Sequence, residues 1–420
     1  MKFVSRNRRV PGARVEEDKP SLFECTDLHK RDKSLRCIHV ECYNMDAKGK
    51  IQIKLINRGE IKMGNVKNIV IIFGGASSEY AVSLQSAYAV ICNIDRQKYN
   101  PVTVGITQEG NWFYFSGEID KIQKDTWYNE MDCVPVVLSP DRTWHRLIVL
   151  YEKNNEIKIE AIPIDAVFPV LHGRNGEDGT VQGIVELAGI PLIGCGTLSS
   201  SLCMDKDRAH RLVELSGIRV PHGMVLMDNT AVNKACDFVK NIGLPVFVKP
   251  VKAGSSFGIT KVIDMEQLTL AIASAFKYDN RVILEEAIDG FEVGCAVCGY
   301  DSLIVGEIDE IELNEANNSE GFFDFTEKYT LKTSAIYVPA RIPAEKAQEI
   351  KEIAKRIYRV LDCAGFARVD MFLTPEGEIV FNEVNTIPGF TEHSRYPGMM
   401  RAAGYGFTKI VNRIIEQVFE

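Results

Sequence analysis

Residues 66–75 read VKNIVIIFGG, an apolar and largely β-branched run that ends in two glycines. Such a run, bounded by glycine, predicts a strand buried on both faces that enters a tight turn. Beyond it, Leu84, Ala87, Val90 and Ile91 fall at helical spacing and predict a helix over Val82–Ile94. Strand, glycine turn and helix in that order open a doubly wound α/β domain. Working outward, Ala166–Leu171 is a second buried strand and Thr180–Ala188 the helix after it. Residues 100–165, with Trp112, Trp127 and Trp144, alternate short strands with polar turns and read as a β-rich elaboration of the same domain.

Downstream, a helix is expected at Asp205–Ser216 with Gly217 as its C-cap, and another at Ala231–Asn241. Strands follow at Pro245–Val248, Arg281–Glu286 and Phe291–Cys298. A long amphipathic helix covers Ala344–Leu361, and strands Phe366–Leu373 and Glu378–Val384 are joined by the turn Thr374-Pro375-Glu376-Gly377. The Cys295–Cys298 pair stands at i, i+3 on a strand, so its thiols face opposite ways and read as core rather than as a metal or redox pair. Met399-Met400 read the same way.

At 420 residues the chain calls for several domains. With 45% hydrophobic and 25% charged residues, it is not mainly disordered, collagenous or a disulfide scaffold. A net charge of −8 gives no general attraction to nucleic acid or an anionic membrane. No apolar run approaches the ~20 residues of a membrane span, and no early segment resembles a signal peptide. The eleven cysteines are scattered and read as reduced thiols in a cytoplasmic enzyme. Residues 1–62 differ from the rest: they hold 15 Lys/Arg against 9 Asp/Glu, whereas the remainder holds 34 against 48. The sign changes at Met63, and Arg58-Gly59-Glu60 is encodable by a ribosome-binding AGGAG stretch. Met63 is therefore the expected initiator, with residues 1–62 a basic extension of no assigned function.

The chemistry concentrates in the last hairpin. Side chains at i and i+2 of a strand share a face, which places Arg368 with Asp370 and Glu383 with Asn385. Three oxygen ligands, Asp370, Glu383 and Asn385, suit a hard cation completed by phosphate. A solvated strand face also alternates charges, but Val369, Met371, Val380 and Phe381 give this hairpin an apolar opposite face. In VFVKPVKAGSSFG (246–258) a strand delivers Lys249 to a small-residue loop whose amides suit an anion; the lysine precedes the glycines, so it is no Walker loop. VILEEAI (282–288) with Glu292 has the pattern of an adenosine contact and equally that of an amphipathic edge strand. His172 ends a buried strand over a glycine turn, and Glu79 enters the first helix, where a ligand could dock.

Taken in order, IFGGASSEYAVS (72–83), FPVLHGRNGEDGTVQG (168–183), MDKDRAH (204–210), VKPVKAGSSFG (248–258), EKY (327–329), ARVDMF (367–372) and NEVNTIPGFTEHSRYP (382–397) resemble the D-alanine–D-alanine ligases of the ATP-grasp group. The resemblance spans residues 66–420. It implies an α/β ATP-grasp fold of three domains: a doubly wound N-terminal domain at 63–199, a central one at 200–285 and a C-terminal one at 286–420. It implies two Mg²⁺ or Mn²⁺ ions held by Asp370, Glu383 and Asn385 on the ATP phosphates. Lys206, Lys249 and Ser256 would contact those phosphates; Glu285, Glu292 and the backbone at Ile288 would bind adenosine. Glu286 stands where some members have lysine. Glu79 would pair with the first D-alanine's ammonium and His172 would lie near its carboxylate. Glu79, Ser255 and Tyr329 would form a hydrogen-bonded triad. Arg368 and the Gly389 N–H would stabilise an oxyanion, Lys328 would meet the transferring phosphoryl group, and Ser394 the second substrate's carboxylate. Tyr80 replaces a common histidine, so no role transfers there.

The Lys328-Tyr329 pair argues against D-lactate as second substrate. FFDFTEKYTLKTSAIYVPARI (322–342) looks most like the VanG-type D-alanine–D-serine ligases of vancomycin resistance, and Arg395 would meet the serine hydroxyl. D-Serine is therefore expected over D-alanine, with a homodimer implied by the resemblance. Two other readings are weaker. A non-catalytic ATP-binding regulator would have lost a metal ligand or Arg368, and a Rossmann oxidoreductase would carry the full GxGxxG spacing.

Overall fold

The computed structural model describes residues 39–43, 52–56, 66–153, 156–228, 232–254, 257–313 and 334–420, all within one compact unit, Cys37–Glu420. Strand β3 (Lys67–Gly74) lies parallel to both β4 (Tyr99–Ile106) and β9 (Ala166–Pro169). Its side chains alternate between two cores. Ile69, Ile71 and Phe73 pack under helix α1 (Tyr80–Asn93), whereas Val70 and Ile72 face the layer containing Val181 and Val185 of α3 (Thr180–Leu187). Coverage on both faces is what a continuous apolar strand requires.

Between β4 and β9 the chain adds β5 (Trp112–Phe115), the short helix α2 (Asp120–Gln123), β6 (Cys133–Leu138), β7 (Arg146–Lys153) and β8 (Glu156–Pro163). These strands pair antiparallel onto β4, so the sequence 100–165 extends the first sheet rather than forming a separate body. Trp127 is fully buried against Phe73, its ring at 5.0 Å, and its indole N–H donates to the Tyr80 hydroxyl. A Cβ at Gly105 would lie 2.3 Å from the Trp127 ring, so that strand position requires glycine. Strands β1 (His39–Tyr43) and β2 (Gln52–Ile56) pair with each other and, through β1, with the edge strand β8. The sheet then has nine strands in the order β2-β1-β8-β7-β6-β5-β4-β3-β9.

Helices α4 (Thr197–Met204) and α5 (Lys206–Leu215) lead to a four-stranded antiparallel sheet, β10-β13-β11-β12. Its strands are β10 (Gly223–Leu226), β11 (Val246–Pro250), β12 (Thr260–Val262) and β13 (Val282–Glu286). Helices α6 (Val232–Ile242) and α7 (Met265–Ala275) bury Ala235, Val239, Leu268 and Ile272 against it.

A six-stranded sheet completes the fold in the order β17-β16-β14-β18-β19, with β15 (Ile304–Val305) beside β14. The strands are β14 (Phe291–Cys298), β16 (Asp309–Leu313), β17 (Ser334–Tyr337), β18 (Phe366–Leu373) and β19 (Ile379–Asn385). Helix α8 (Ala344–Val360) covers one face with Ile350, Ala354 and Ile357. Helices α9 (Arg395–Ala402) and α10 (Phe407–Glu416) cover the other and share a core with α1. Cys295 and Cys298 are fully buried in these two different cores, as opposite faces demand. Met399 and Met400 are also fully buried.

Candidate active site

The β18–β19 ladder pairs Arg368 with Asn385 and Asp370 with Glu383, with a register shift after Asp370. Nε of Arg368 donates to both Asp370 oxygens at 2.7 and 3.1 Å, Nη2 donates at 2.7 Å, and Asn385 adds an amide N–H at 2.8 Å. Asp370 is buried, so these charge-assisted bonds replace its water. Arg395, at the start of α9, enters the same cluster. Its Nε and Nη2 donate to the two oxygens of fully buried Asp309 at 2.7 and 2.9 Å, and Nη1 donates to Glu292 at 2.6 Å. Nη2 also lies 3.6 Å from Asp370. Gly294 faces this knot: a Cβ there would come within 2.4 Å of Asp309 Oδ1 and 2.5 Å of Arg395 Nη2.

Strand β11 pairs antiparallel with β13 and carries Lys249, whose Nζ donates to Glu285 at 2.6 Å. Glu285 is fully buried, and its other oxygen lies 3.3 Å from Nδ1 of His210 on α5. Burial would raise this carboxyl, but Lys249 and His210 outweigh it and hold the group below its ordinary range. Glu285, expected to contact adenosine, has Oε2 on Lys249, whereas its buried Oε1 has no hydrogen-bond partner among the described residues. Glu286 accepts from the His222 N–H at 3.0 Å and pairs with Arg219 at 3.6 Å. Ile288 sits half-buried in the turn between β13 and β14, and Glu292 is held by Arg395. Lys206, the first residue of α5, donates to the Ala253 carbonyl at 3.0 Å and lies 3.8 Å from Glu383. Asp205 caps that helix by accepting from the Arg208 N–H, and it also pairs with Arg281.

From the N-terminal side, buried Glu79 stands at the entrance of α1. Cβ atoms built on Gly173 and Gly254 would lie 2.2 and 2.8 Å from its Oε2, so two glycine turns close around one carboxylate. His172 is buried with both ring nitrogens used: Nδ1 meets the Ile387 carbonyl at 2.9 Å and Nε2 meets Ser86 Oγ at 3.1 Å. Ser86 in turn accepts from the Phe390 N–H at 3.1 Å. A single tautomer, with Nδ1 donating and Nε2 accepting, satisfies this chain of bonds. Burial pushes the imidazole down to about 4. His172, expected near the first substrate's carboxylate, lines the cavity and also fastens α1 to the turn 387–390.

Glu177 is a site residue that motif reading passed over, although it lies inside the HGRNGEDG stretch. Its oxygens accept from the Gly173 and Ile387 N–H groups at 2.8 and 3.1 Å. Burial, then the charge of Glu79, pushes its carboxyl up to about 8. Because this value lies above that of an unfolded glutamate, stability is full below the ordinary carboxylate range and is lost as pH rises through about 8. Glu177→Gln is therefore expected to gain stability relative to the unsubstituted protein between pH 6 and pH 9, measured as denaturant midpoints. A pH-independent difference between the two proteins would show that Glu177 is ionised throughout.

Glu79, His172, Lys206, Arg368, Glu383 and Asn385 line one cavity together with Gly389, Ser394 and Arg395. Ser394 Oγ accepts from the Thr391 N–H at 3.1 Å, and a Cβ on Gly389 would touch it at the same distance. Asp370, Lys249 and Glu285 stand behind this lining. Ser255, Ser256, Lys328 and Tyr329 lie outside the described residues. Asp309 had no sequence signal of its own, and His210 had only its place in the MDKDRAH stretch. Among the described residues no group of three His, Cys, Asp or Glu side chains is set to hold a metal. The hairpin's oxygen set is two carboxylates and an amide.

Residues 68–195 match the family model for the D-ala D-ala ligase N-terminus, and residues 212–416 that for its C-terminus. The crystal structure of the VanG D-Ala:D-Ser ligase from Enterococcus faecalis superposes with a TM-score of 0.76 at 54% identity, covering 84% of this chain and 99% of that one. The vancomycin B-type resistance protein VanB of Enterococcus faecalis is 43% identical over 363 residues, 85% of this chain and 100% of its own length. A D-alanine–D-alanine ligase of Caldicellulosiruptor bescii is 43% identical over 357 residues, 84% of this chain and 95% of its own. Together with the cavity, these matches place the chain in the D-alanine–D-alanine ligase family of ATP-grasp, ATP-dependent enzymes that use a divalent metal.

Proposed function

We propose that this ligase joins D-alanine to D-serine through a D-alanyl phosphate, forming the altered terminus of peptidoglycan precursors that underlies vancomycin resistance. The carrying observation is Arg395, buried beside Ser394 and held in one orientation by Asp309 and Glu292. Its remaining N–H capacity lies on Nη1 and Nη2. A fixed guanidinium fork suits a substrate that brings one more hydroxyl than D-alanine. The likeness to a D-Ala:D-Ser ligase supports the same reading. Ser394 would receive the second substrate's carboxylate.

Catalysis in this reading is positioning plus electrostatics, since both steps move negative charge. The first D-alanine is held by its ammonium on Glu79, which the turns at Gly173 and Gly254 enclose. Its carboxylate attacks the γ-phosphate of ATP; Lys206 and Lys249 align the phosphates, and Lys328 and the Ser255-Ser256 loop complete that contact. The amino group of the second substrate then displaces phosphate, and the oxyanion formed is stabilised by Arg368 and the Gly389 N–H. His172 and Glu177 position this N–H through the Ile387–Phe390 turn. Glu292 and the backbone at Ile288 would take adenosine, with the nucleotide between the 200–285 and 286–420 domains. Glu79, Ser255 and Tyr329 would link the 63–199 domain to that loop.

The hard oxygen donors of Asp370, Glu383 and Asn385 fit Mg²⁺ or Mn²⁺, and the phosphates must supply the remaining ligands. Two such ions, when bound, neutralise phosphate charge. The enzyme would work in the cytoplasm as a homodimer, as the family resemblance implies. No helix among the described residues is long and apolar enough to cross a membrane.

The test is ATP-dependent phosphate release with D-alanine, D-serine and D-lactate in competition, each product identified by mass. D-Alanyl-D-serine is expected to dominate. A dominant D-alanyl-D-alanine product would make this an ordinary D-alanine–D-alanine ligase, and the absence of turnover would leave an ATP-binding regulator.

A further inference from the structure

Three cysteines meet where helix α4 passes the end of helix α8, in one of the buried cores. The Sγ atoms of Cys203 and Cys363 are 3.8 Å apart. Cys195 also touches Cys363, but its thiol is directed at two backbone carbonyls, Ala364 O at 3.4 Å and Phe366 O at 3.7 Å. Contact with Cys363, together with burial, pushes the Cys195 thiol well up. Against the lowering contact with Cys195, contact with Cys203 and burial push Cys363 well up too, so acidity does not separate these two. The thiols differ in access. Cys203 lines the catalytic cavity. Cys363 lies behind it, fixed by its N–H on the Tyr358 carbonyl at 2.8 Å. None of the three has a part in the reaction described above.

The geometry points to Cys203 and Cys363 as a peroxide-sensitive dithiol whose oxidation to a disulfide arrests the ligase. Hydrogen peroxide, small enough to enter the substrate cavity, meets Cys203 first. The Cys203 sulfur attacks the O–O bond; an S–O bond forms, the O–O bond breaks, and the leaving oxygen departs as water with the thiol proton. The sulfenic acid then lies against Cys363. The Cys363 sulfur attacks it, the S–S bond forms, the S–O bond breaks, and the oxygen leaves as a second water with the Cys363 proton. Two thiols are oxidised by two electrons and one peroxide is reduced to two waters.

The consequence follows from position. Cys203 is in the last turn of α4, three residues before Lys206, whose Nζ bridges the Ala253 carbonyl and Glu383. A disulfide holds its sulfurs ~2.05 Å apart, so the present gap must close by more than an ångström. Cys363 is anchored by its backbone, so the α4–α5 junction is the part that moves, and it carries Lys206 with it. Misplacing a positioning group by about 1 Å costs up to ~10²-fold in rate. The bond also ties the segment between the N-terminal and central sheets to the C-terminal one.

The experiment is a hydrogen peroxide titration of the full chain, followed by non-reducing peptide mapping and ligase assays on the same samples. The expected result is a Cys203–Cys363 cross-linked peptide that accumulates as turnover falls by more than about tenfold, reversed by dithiothreitol and slowed by saturating ATP with D-alanine. Cys363→Ser should keep its turnover before and after peroxide. The peptide map of the unsubstituted protein decides independently of any variant's folding. A Cys195–Cys363 link, inactivation with no cross-link, or a cross-link that leaves turnover intact would each overturn the inference. Because the map is a chemical readout, it stands whichever second substrate the enzyme uses.

Discussion

Arg368→Ala is expected to lower turnover by at least ~10²-fold while changing ATP affinity only modestly. The guanidinium stands at the cavity wall with its position fixed from behind by Asp370, at 2.7 Å from both Nε and Nη2. A donor locked in place before the oxyanion forms needs no reorganisation when charge develops, which is why such a group acts on the transition state rather than on binding. Arg368→Lys gives the discriminating comparison. It restores the charge without the planar fork that grips both Asp370 oxygens, so turnover should recover only in part. The fold should survive the alanine change better than the rule for orphaned buried charges implies. Asp370 keeps the Asn385 amide at 2.8 Å and Arg395 at 3.6 Å. Steady-state kcat with ATP titration, and a denaturant midpoint for each variant, check both statements. Near-normal turnover in the alanine variant would remove Arg368 from the oxyanion site.

The fold is most legible where one local rule dominates. VKNIVIIFGG has a period fit for a two-faced strand, and the structure divides its side chains between two cores. Phe366–Leu373 coincides end to end with its expected span. The partner strand was expected over Glu378–Val384 and runs Ile379–Asn385. That single residue matters, because it brings Asn385 into the ladder opposite Arg368. Helix α4, Thr197–Met204, carries three consecutive serines, residues that favour caps and turns. Its helicity rests on burial of Ser199, Ser200 and Cys203, which no local pattern signals. Strands β1 and β2 fall in the segment set apart at Met63, and their pairing onto β8 is a tertiary fact outside any local pattern.

The site divides along the same line. The i, i+2 rule brings Arg368 onto the face of Asp370 because strand geometry is local. The role of His172 is not local: its partners Ile387 and Ser86 lie 215 and 86 residues away. Asp309 stands in a strand of alternating charge, DEIEL, where nothing distinguishes it from Glu310 or Glu312. What singles it out is Arg395, which arrives from α9, 86 residues later. A carboxylate chosen by a distant guanidinium has no signature in its own neighbourhood.

Lys249→Met is expected to cost about 3–5 kcal/mol of stability as well as most of the activity. The reason lies in Glu285, which is fully buried and neutralised chiefly by Lys249 at 2.6 Å. Removing the lysine strands a carboxylate in a low-dielectric interior, with His210 Nδ1 at 3.3 Å as its nearest remaining polar neighbour. The double change Lys249→Met/Glu285→Gln separates the two losses. It removes the stranded charge, so most of the stability should return, whereas turnover should stay low if Lys249 aligns the ATP phosphates as proposed, because that ammonium is still missing. Acid provides an independent check with a definite sign. The Glu285 carboxyl is held below its ordinary range in the folded protein. Its contribution is therefore present above the unfolded carboxylate value and is lost as pH falls through the folded one. Unfolding midpoints taken from pH 7 downward should fall less steeply in the double variant than in the unsubstituted protein. If the single and double variants lose the same stability, Glu285 is not the group that Lys249 neutralises, and the lysine's contribution to the fold is packing of its stem.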